Sequence, residues 1–238
     1  MKRVVAISGS PRAGEHGERS LTDKFLKAFL DGFSPEYSRV FYPHKMKINY
    51  CTGCYTCWLK TPGICAIDDD MALINEELQE ADLIILATPV YVEGFSAQLK
   101  TVLDRSISRY SPFISFDQAG HCRHEHLKLK KRAALLISTC GFSEMDNFDA
   151  LKAHFAAICR NYYWDNAGEV LIPASALGSL PGGYDAKLEA AKEAGAELAK
   201  ENRISSEALQ KVMGEPVDAR FYKETVNSFF TKLIKRGQ

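Results

Sequence analysis

At 238 residues the chain is long enough for one large domain, or for a core with an extension. Its 30 Lys and Arg residues balance 30 Asp and Glu residues, which argues against nucleic acid or an anionic membrane as the main partner. No stretch approaches the roughly 18 consecutive apolar residues of a membrane-spanning helix.

The first predicted element is the apolar run Val4-Val5-Ala6-Ile7, whose lack of polar alternation suits a strand covered on both faces. A core strand stands where a signal sequence would lie, so the expected location is the cytoplasm. The strand leads into Ser8-Gly9-Ser10-Pro11-Arg12, and a helix is expected from about Gly17, where Leu21, Phe25, Ala28, Phe29 and Gly32 recur at helical spacing. Strand, loop and helix start together gather backbone N–H groups and hydroxyls around one anionic point, and Arg12 adds a planar donor fork suited to phosphate. Neither G-x-G-x-x-G nor G-x-x-x-x-G-K-[ST] is present, which argues against a dinucleotide domain or a P-loop NTPase. A mononucleotide phosphate, as in flavodoxin-like folds, remains.

Further strands are predicted at Val40-Phe41-Tyr42, at residues 83–87 and 133–137, and at Val170-Leu171-Ile172. Helical patterns separate them: Met71, Ile74 and Leu78; Leu99, Val102 and Leu103; Phe148, Leu151, Phe155 and Ile158; Leu188, Ala191, Gly195 and Leu198. This alternation predicts an α/β domain over residues 1–200, a five-stranded parallel sheet with helices on both faces. Residues 108–130 read as an insertion, a solvated basic connector in which His121, Cys122, His124 and His126 are not expected to hold a metal. Residues 201–238 read as a helical extension whose stripe of Tyr222, Val226, Phe229, Phe230 and Leu233 must be covered by the domain or by a second subunit. Left exposed, the stripe would be an association surface of the kind that closes into a symmetric homodimer.

Four of the seven cysteines fall in Cys51-x2-Cys54-x2-Cys57-x7-Cys65, a crowding foreign to a secreted disulfide scaffold. Short loops can bring four thiolates onto a [4Fe–4S] cluster; a structural zinc and free thiols, including a Cys-x-x-Cys redox pair, fit the same run. Asp68-Asp69-Asp70 stands just before a predicted helix and is read as caps for its free N–H groups. No G-x-S-x-G elbow supports a hydrolase.

Ligands of open parallel sheets collect beyond the carboxyl ends of the strands. Those ends are residues 8–12, the loop Thr88-Pro89-Val90-Tyr91-Val92-Glu93-Gly94, and Thr139-Cys140-Gly141-Phe142. The second has the make-up of a flavin loop, with Pro89 and Gly94 to shape it and Tyr91 to offer an aromatic face. Taken with Lys100, Asp104-Arg105 and the cysteine run, these motifs resemble the NADPH-dependent FMN reductase group of the flavodoxin-like superfamily, and most of all its iron–sulfur flavoprotein branch.

The resemblance covers about residues 1–200. It implies FMN with its phosphate on Ser10, Arg12 and Ser20, Ser8 as a further cofactor-binding residue of the same loop, and Pro89, Val90, Tyr91, Val92, Gly94, Thr139, Cys140 and Gly141 around the ring. NADH or NADPH would be the electron donor, and a small molecule such as a quinone or free flavin the acceptor. The flavin carries the chemistry, so no side chain is named as a catalytic acid or base. Cys51, Cys54, Cys57 and Cys65 would be ligands if a cluster is present. Two other readings stand beside this one: an electron carrier serving a ferredoxin-like redox protein, and a cofactor-free interaction module.

Overall fold

The computed structural model describes residues 2–13, 20–179 and 184–236. The helix start expected near Gly17 lies outside them. In chain order the elements are β1 (Arg3–Ser8), α1 (Leu21–Phe33), β2 (Tyr37–Phe41), the single turn α2 (Thr56–Leu59), α3 (Met71–Glu80), β3 (Leu83–Pro89), α4 (Ala97–Arg105), β4 (Tyr110–Phe116), β5 (Cys122–His126), β6 (Arg132–Thr139), α5 (Asp149–Tyr162), β7 (Trp164–Ile172), α6 (Asp185–Glu201), α7 (Ser206–Met213) and α8 (Ala219–Arg236).

Five strands form one parallel sheet in the order β2-β1-β3-β6-β7. This is the flavodoxin-like arrangement anticipated from the sequence, with its switch point between β1 and β3. Strand side chains alternate between two cores. Val5, Ile7, Ile84, Leu86 and Leu136 face α3, α4 and α5, while Val4, Ala6, Ile85, Leu135 and Ile137 face α1 and α6. The second core continues past residue 200, because fully buried Val212 of α7 belongs to it.

Helix α1 starts at Ser20, whose Oγ accepts the Asp23 N–H at 3.2 Å. It then crosses α6 in backbone contact. A Cβ placed on Gly195 would lie 2.1 Å from the Phe29 carbonyl oxygen, so a side chain there would force the two helices apart.

Residues 108–130 are not a connector. They build a two-stranded antiparallel sheet of β4 and β5, tied at its turn by Arg123 and Asp117 at 3.1 Å. His124 rests against Trp58, ring centroids 4.9 Å apart, and His126 against Tyr110 at 4.5 Å. His124 remains exposed and His126 is half-buried, and each has an aromatic partner.

Candidate flavin and thiol sites

A cavity of about 580 Å³ opens beyond the carboxyl ends of β1, β3 and β6, within the roughly 300–1,000 Å³ of cofactor pockets. Ser10 and Arg12 stand on one side of it, Pro89, Val90 and Tyr91 on another, and Thr139 and Gly141 on a third. The three loops singled out in the sequence therefore surround one space.

Close packing fixes the loops. The Gly9 N–H donates to the Ala87 carbonyl at 2.7 Å and the Gly9 carbonyl accepts the Ser96 hydroxyl at 2.7 Å. A Cβ on Gly9 would stand 2.6 Å from Ser96 Oγ and 2.8 Å from Leu99 Cβ, so only glycine lets α4 approach β1 here. The Val90 N–H donates to the Thr139 carbonyl at 2.8 Å, coupling two of the cavity's loops.

Tyr91 and Gly94 exchange two backbone hydrogen bonds of 3.1 Å, closing a two-residue turn with Val92 at φ 45° and Glu93 at φ 62°. A β-branched residue at positive φ is a strained choice, and such strain gathers at functional loops. The turn spends the Gly94 N–H on Tyr91. Among the described residues the Val92 and Glu93 N–H groups have no protein partner, so they are donors free for a ligand.

The remaining sequence candidates take supporting places. Ser20 donates its hydroxyl hydrogen to Ser10 Oγ at 2.8 Å, orienting the residue that lines the cavity. Ser8 is buried, its hydroxyl directed at Asp23 at 3.4 Å. Cys140 is buried, its N–H donates to the Ile172 carbonyl at 2.9 Å, and burial pushes its thiol up. The side chain of Val92 is wholly exposed.

Among the lining residues that escaped the sequence reading, four bear on chemistry or shape. Thr22 shares a 2.7 Å hydrogen bond with Thr139. Lys24 gives the cavity a second cation besides Arg12. Phe229 and Phe230 of α8 make an apolar wall. Their helix is tied down by Tyr222, whose hydroxyl donates to the Gly141 carbonyl. Lys24 was legible from its place one turn into α1; the wall was not, because an apolar stripe does not say which surface it covers.

Cys51, Cys54, Cys57 and Cys65 all line a second, smaller cavity of about 100 Å³. Cys57 is buried, Cys65 half-buried, and Cys51 and Cys54 are exposed. Hydrogen bonds from Thr56 lower the Cys54 thiol, whereas burial raises that of Cys57. All four are free thiols, and among the described residues no three His, Cys, Asp or Glu side chains converge as they would on a metal. The donor set fits a thiolate-bound cluster in number, chemistry and shared cavity, although the four sulfurs stand apart.

The base of this segment is held by Arg105, which is 1 % exposed and makes bonds of 2.8 and 2.9 Å to both Asp69 carboxylate oxygens. It also donates to the carbonyls of Asn49 at 2.7 Å and Ile67 at 3.3 Å, on either side of the four cysteines. The reading of three caps is thus corrected. Asp69 does accept the Met71 N–H at 3.1 Å, but its main partner is a buried cation, and Asp70 accepts the Lys47 N–H at 2.7 Å and caps nothing. Burial raises the Asp69 carboxyl; hydrogen bonds from Arg105, Asn49 and Met71 outweigh it and hold the group well below the usual range.

The profile of NADPH-dependent FMN reductases matches residues 2–160. The chain belongs to that family. Iron–sulfur flavoproteins of Archaeoglobus fulgidus and Methanosarcina thermophila are 40 % and 38 % identical to it over 105 residues, covering 44 % of this chain and 46 % and 52 % of theirs. The chain spans about half the length of these relatives.

Solved flavodoxin-like structures confirm the fold of this FMN reductase family member. An FMN-dependent NADH-azoreductase of Bacillus anthracis, in complex with FMN, superposes with a TM-score of 0.63 at 15 % identity, covering 84 % of this chain and all of that one. An NAD(P)H:quinone oxidoreductase of Methanothermobacter marburgensis gives 0.58 at 15 % identity, over 83 % and 96 % of the two chains. Among the described residues no helix is long and apolar enough to cross a membrane.

Proposed function

We propose that this chain binds FMN in the cavity beyond β1, β3 and β6 and serves as an NAD(P)H-dependent oxidoreductase that reduces a small acceptor such as a quinone or a free flavin. One observation carries the reading: a single space has a cationic, hydroxyl-bearing end at Ser10, Arg12 and Lys24 and an apolar end at Pro89, Val90 and Tyr91. The first suits a phosphate, the second a planar ring. Bound FMN would supply hydride acceptance from the nicotinamide and electron delivery to the acceptor.

The protein's part is positional and electrostatic. Ser20 orients the Ser10 hydroxyl, and Arg12 and Lys24 supply positive charge at the cavity. The free N–H groups of Val92 and Glu93 offer donors to negative charge developing on a ring edge. Phe229 and Phe230 keep water from one side. The names of the iron–sulfur flavoprotein relatives support a second role for Cys51, Cys54, Cys57 and Cys65 as ligands of a [4Fe–4S] cluster, which would supply one-electron exchange with a protein partner.

The exposed Phe229, Phe230, Leu233 and Ile234 of α8 favour a homodimer that covers this helix. The free thiols favour a reducing compartment, and we place the protein in the cytoplasm. The test of the enzyme reading is steady NAD(P)H oxidation by FMN-loaded protein when a quinone is added. Reduction by a ferredoxin-like donor alone would favour the carrier, and failure to retain FMN would refute both.

A further inference from the structure

At the opposite end of the sheet from the cavity, the hairpin β4–β5 meets the end of α5 just before β7, with Tyr110 against Tyr162 at 4.8 Å and His126 against Tyr163 at 5.2 Å. Two arginines come together there, and among the described residues no carboxylate forms an ion pair with either. Arg109 is 6 % exposed and Arg132 is 2 % exposed. Arg109 makes one long bond, from Nη2 to the Leu78 carbonyl at 3.4 Å, and Arg132 makes one from Nη2 to the Gln79 carbonyl at 3.0 Å. The Nε and Nη1 atoms of both are buried without any partner.

The nearby carboxylates are engaged elsewhere, Glu80 by Lys128 at 2.5 Å and Asp82 by Lys130 at 2.8 Å. The groups around the arginines repeat the pattern: Tyr110 Oη, His126 Nε2 and Trp164 Nε1 are buried and unpartnered too. They form one cluster. Tyr110 touches His126 at 4.5 Å and Tyr162 at 4.8 Å, Tyr162 touches Trp164 at 4.9 Å, and Trp164 pairs with Arg132 in the β6–β7 register.

Unpaired buried cations are strongly destabilising, and here two lie close together, on the adjacent carbonyls of Leu78 and Gln79. Burial, and then the neighbouring Arg109, bring Arg132 down to about 10, while burial and both arginines bring His126 down to about 4. Buried donors in such number are ordinarily satisfied by something bound.

We propose that Arg109 and Arg132 enclose a small inorganic anion, a chloride, with Tyr110, His126 and Trp164 completing its shell of donors. Rings in mutual contact suit a monatomic ion better than a phosphate ester. The ion cancels the repulsion between the guanidinium groups and fastens the hairpin to the sheet. Its site is separate from the proposed flavin site, since none of these residues lines the cofactor cavity.

The test uses the full chain as purified. In crystals grown in sodium bromide from protein kept in bromide throughout, an anomalous peak is expected between the two guanidinium groups, and its absence, or a water in its place, overturns the proposal. In solution, replacing gluconate with chloride at fixed ionic strength should raise the thermal midpoint saturably, by roughly 4 °C or more. A midpoint indifferent to halide also overturns it. Arg132→Met, which removes one cation and keeps an apolar stem, should abolish the halide response; a variant that folds and keeps that response contradicts the assignment.

Discussion

Tyr222 of α8 donates its hydroxyl hydrogen to the carbonyl of Gly141, on the loop that ends β6. The bond fastens the carboxyl-terminal helix beside the cavity, where Phe229 and Phe230, two turns further on, become part of its lining. Replacing both phenylalanines by alanine should weaken FMN binding about tenfold, the equivalent of about 1.4 kcal/mol of lost apolar contact. Tyr222→Phe should produce a smaller loss. Quenching of flavin fluorescence on titration reads both, and an unchanged affinity in the double variant would separate α8 from the cofactor.

At the phosphate end, Ser10→Ala and Arg12→Ala should each weaken FMN binding roughly 10- to 100-fold, since a hydrogen bond to a charged group contributes about 1.5–3 kcal/mol. Ser20→Ala acts through Ser10 and through the first turn of α1, so it should lower both affinity and thermal stability. Full affinity in both the Ser10 and Arg12 variants would put the phosphate elsewhere.

Strands of the sheet interior were legible because both faces are covered, so β1, β3 and β6 read as unbroken apolar runs. The edge strands were seen only in part. β2 opens with exposed Tyr37, Ser38 and Arg39, and β7 with Trp164-Asp165-Asn166, so each showed only its apolar end. The β4–β5 hairpin stayed hidden because Cys-Arg-His-Glu-His carries no apolar alternation; ring contacts across the fold hold it. The same limit applies to Asp69 and Arg105. Their pairing joins positions far apart in the chain, and three acids before a helix look like caps whatever lies behind them.

The turn at Val92 and Glu93 carries strain that another sequence would relieve. Both residues lie at positive φ, where Asn-Gly is the favoured pair. Val92→Asn with Glu93→Gly should therefore raise unfolding free energy by about 1 kcal/mol. Denaturant unfolding measures it, and a loss of stability would show that the native residues make compensating contacts.

Arg105→Met should cost about 3–5 kcal/mol, because it leaves the Asp69 carboxylate buried without its cation. It should also speed labelling of Cys57 by a thiol reagent, since the carbonyls of Asn49 and Ile67 lose their shared donor. The same carboxylates set the acid response. Burial raises Asp82, but Lys130 and the backbone N–H groups of Arg3 and Lys2 bring it to about 2, and Glu77 is likewise lowered against burial by Arg39, Tyr37 and Arg3. Their folded values, like that of Asp69, lie below those of the unfolded chain. The unfolded state thus binds protons first, so stability is complete above about pH 5 and falls as the pH drops through about 4 toward 2. Unfolding curves at pH 7, 5, 4 and 3 test this; constant stability down to pH 3 would contradict it.

The absorption spectrum of freshly purified protein under anaerobic conditions, before and after NADH or NADPH is added, decides whether FMN sits beyond β1, β3 and β6 and takes electrons from the nucleotide. Bound-flavin bands are expected that bleach on addition of the nucleotide and return when a quinone follows. A colourless protein that stays free of flavin when mixed with FMN, or flavin bands that neither nucleotide bleaches, would contradict it.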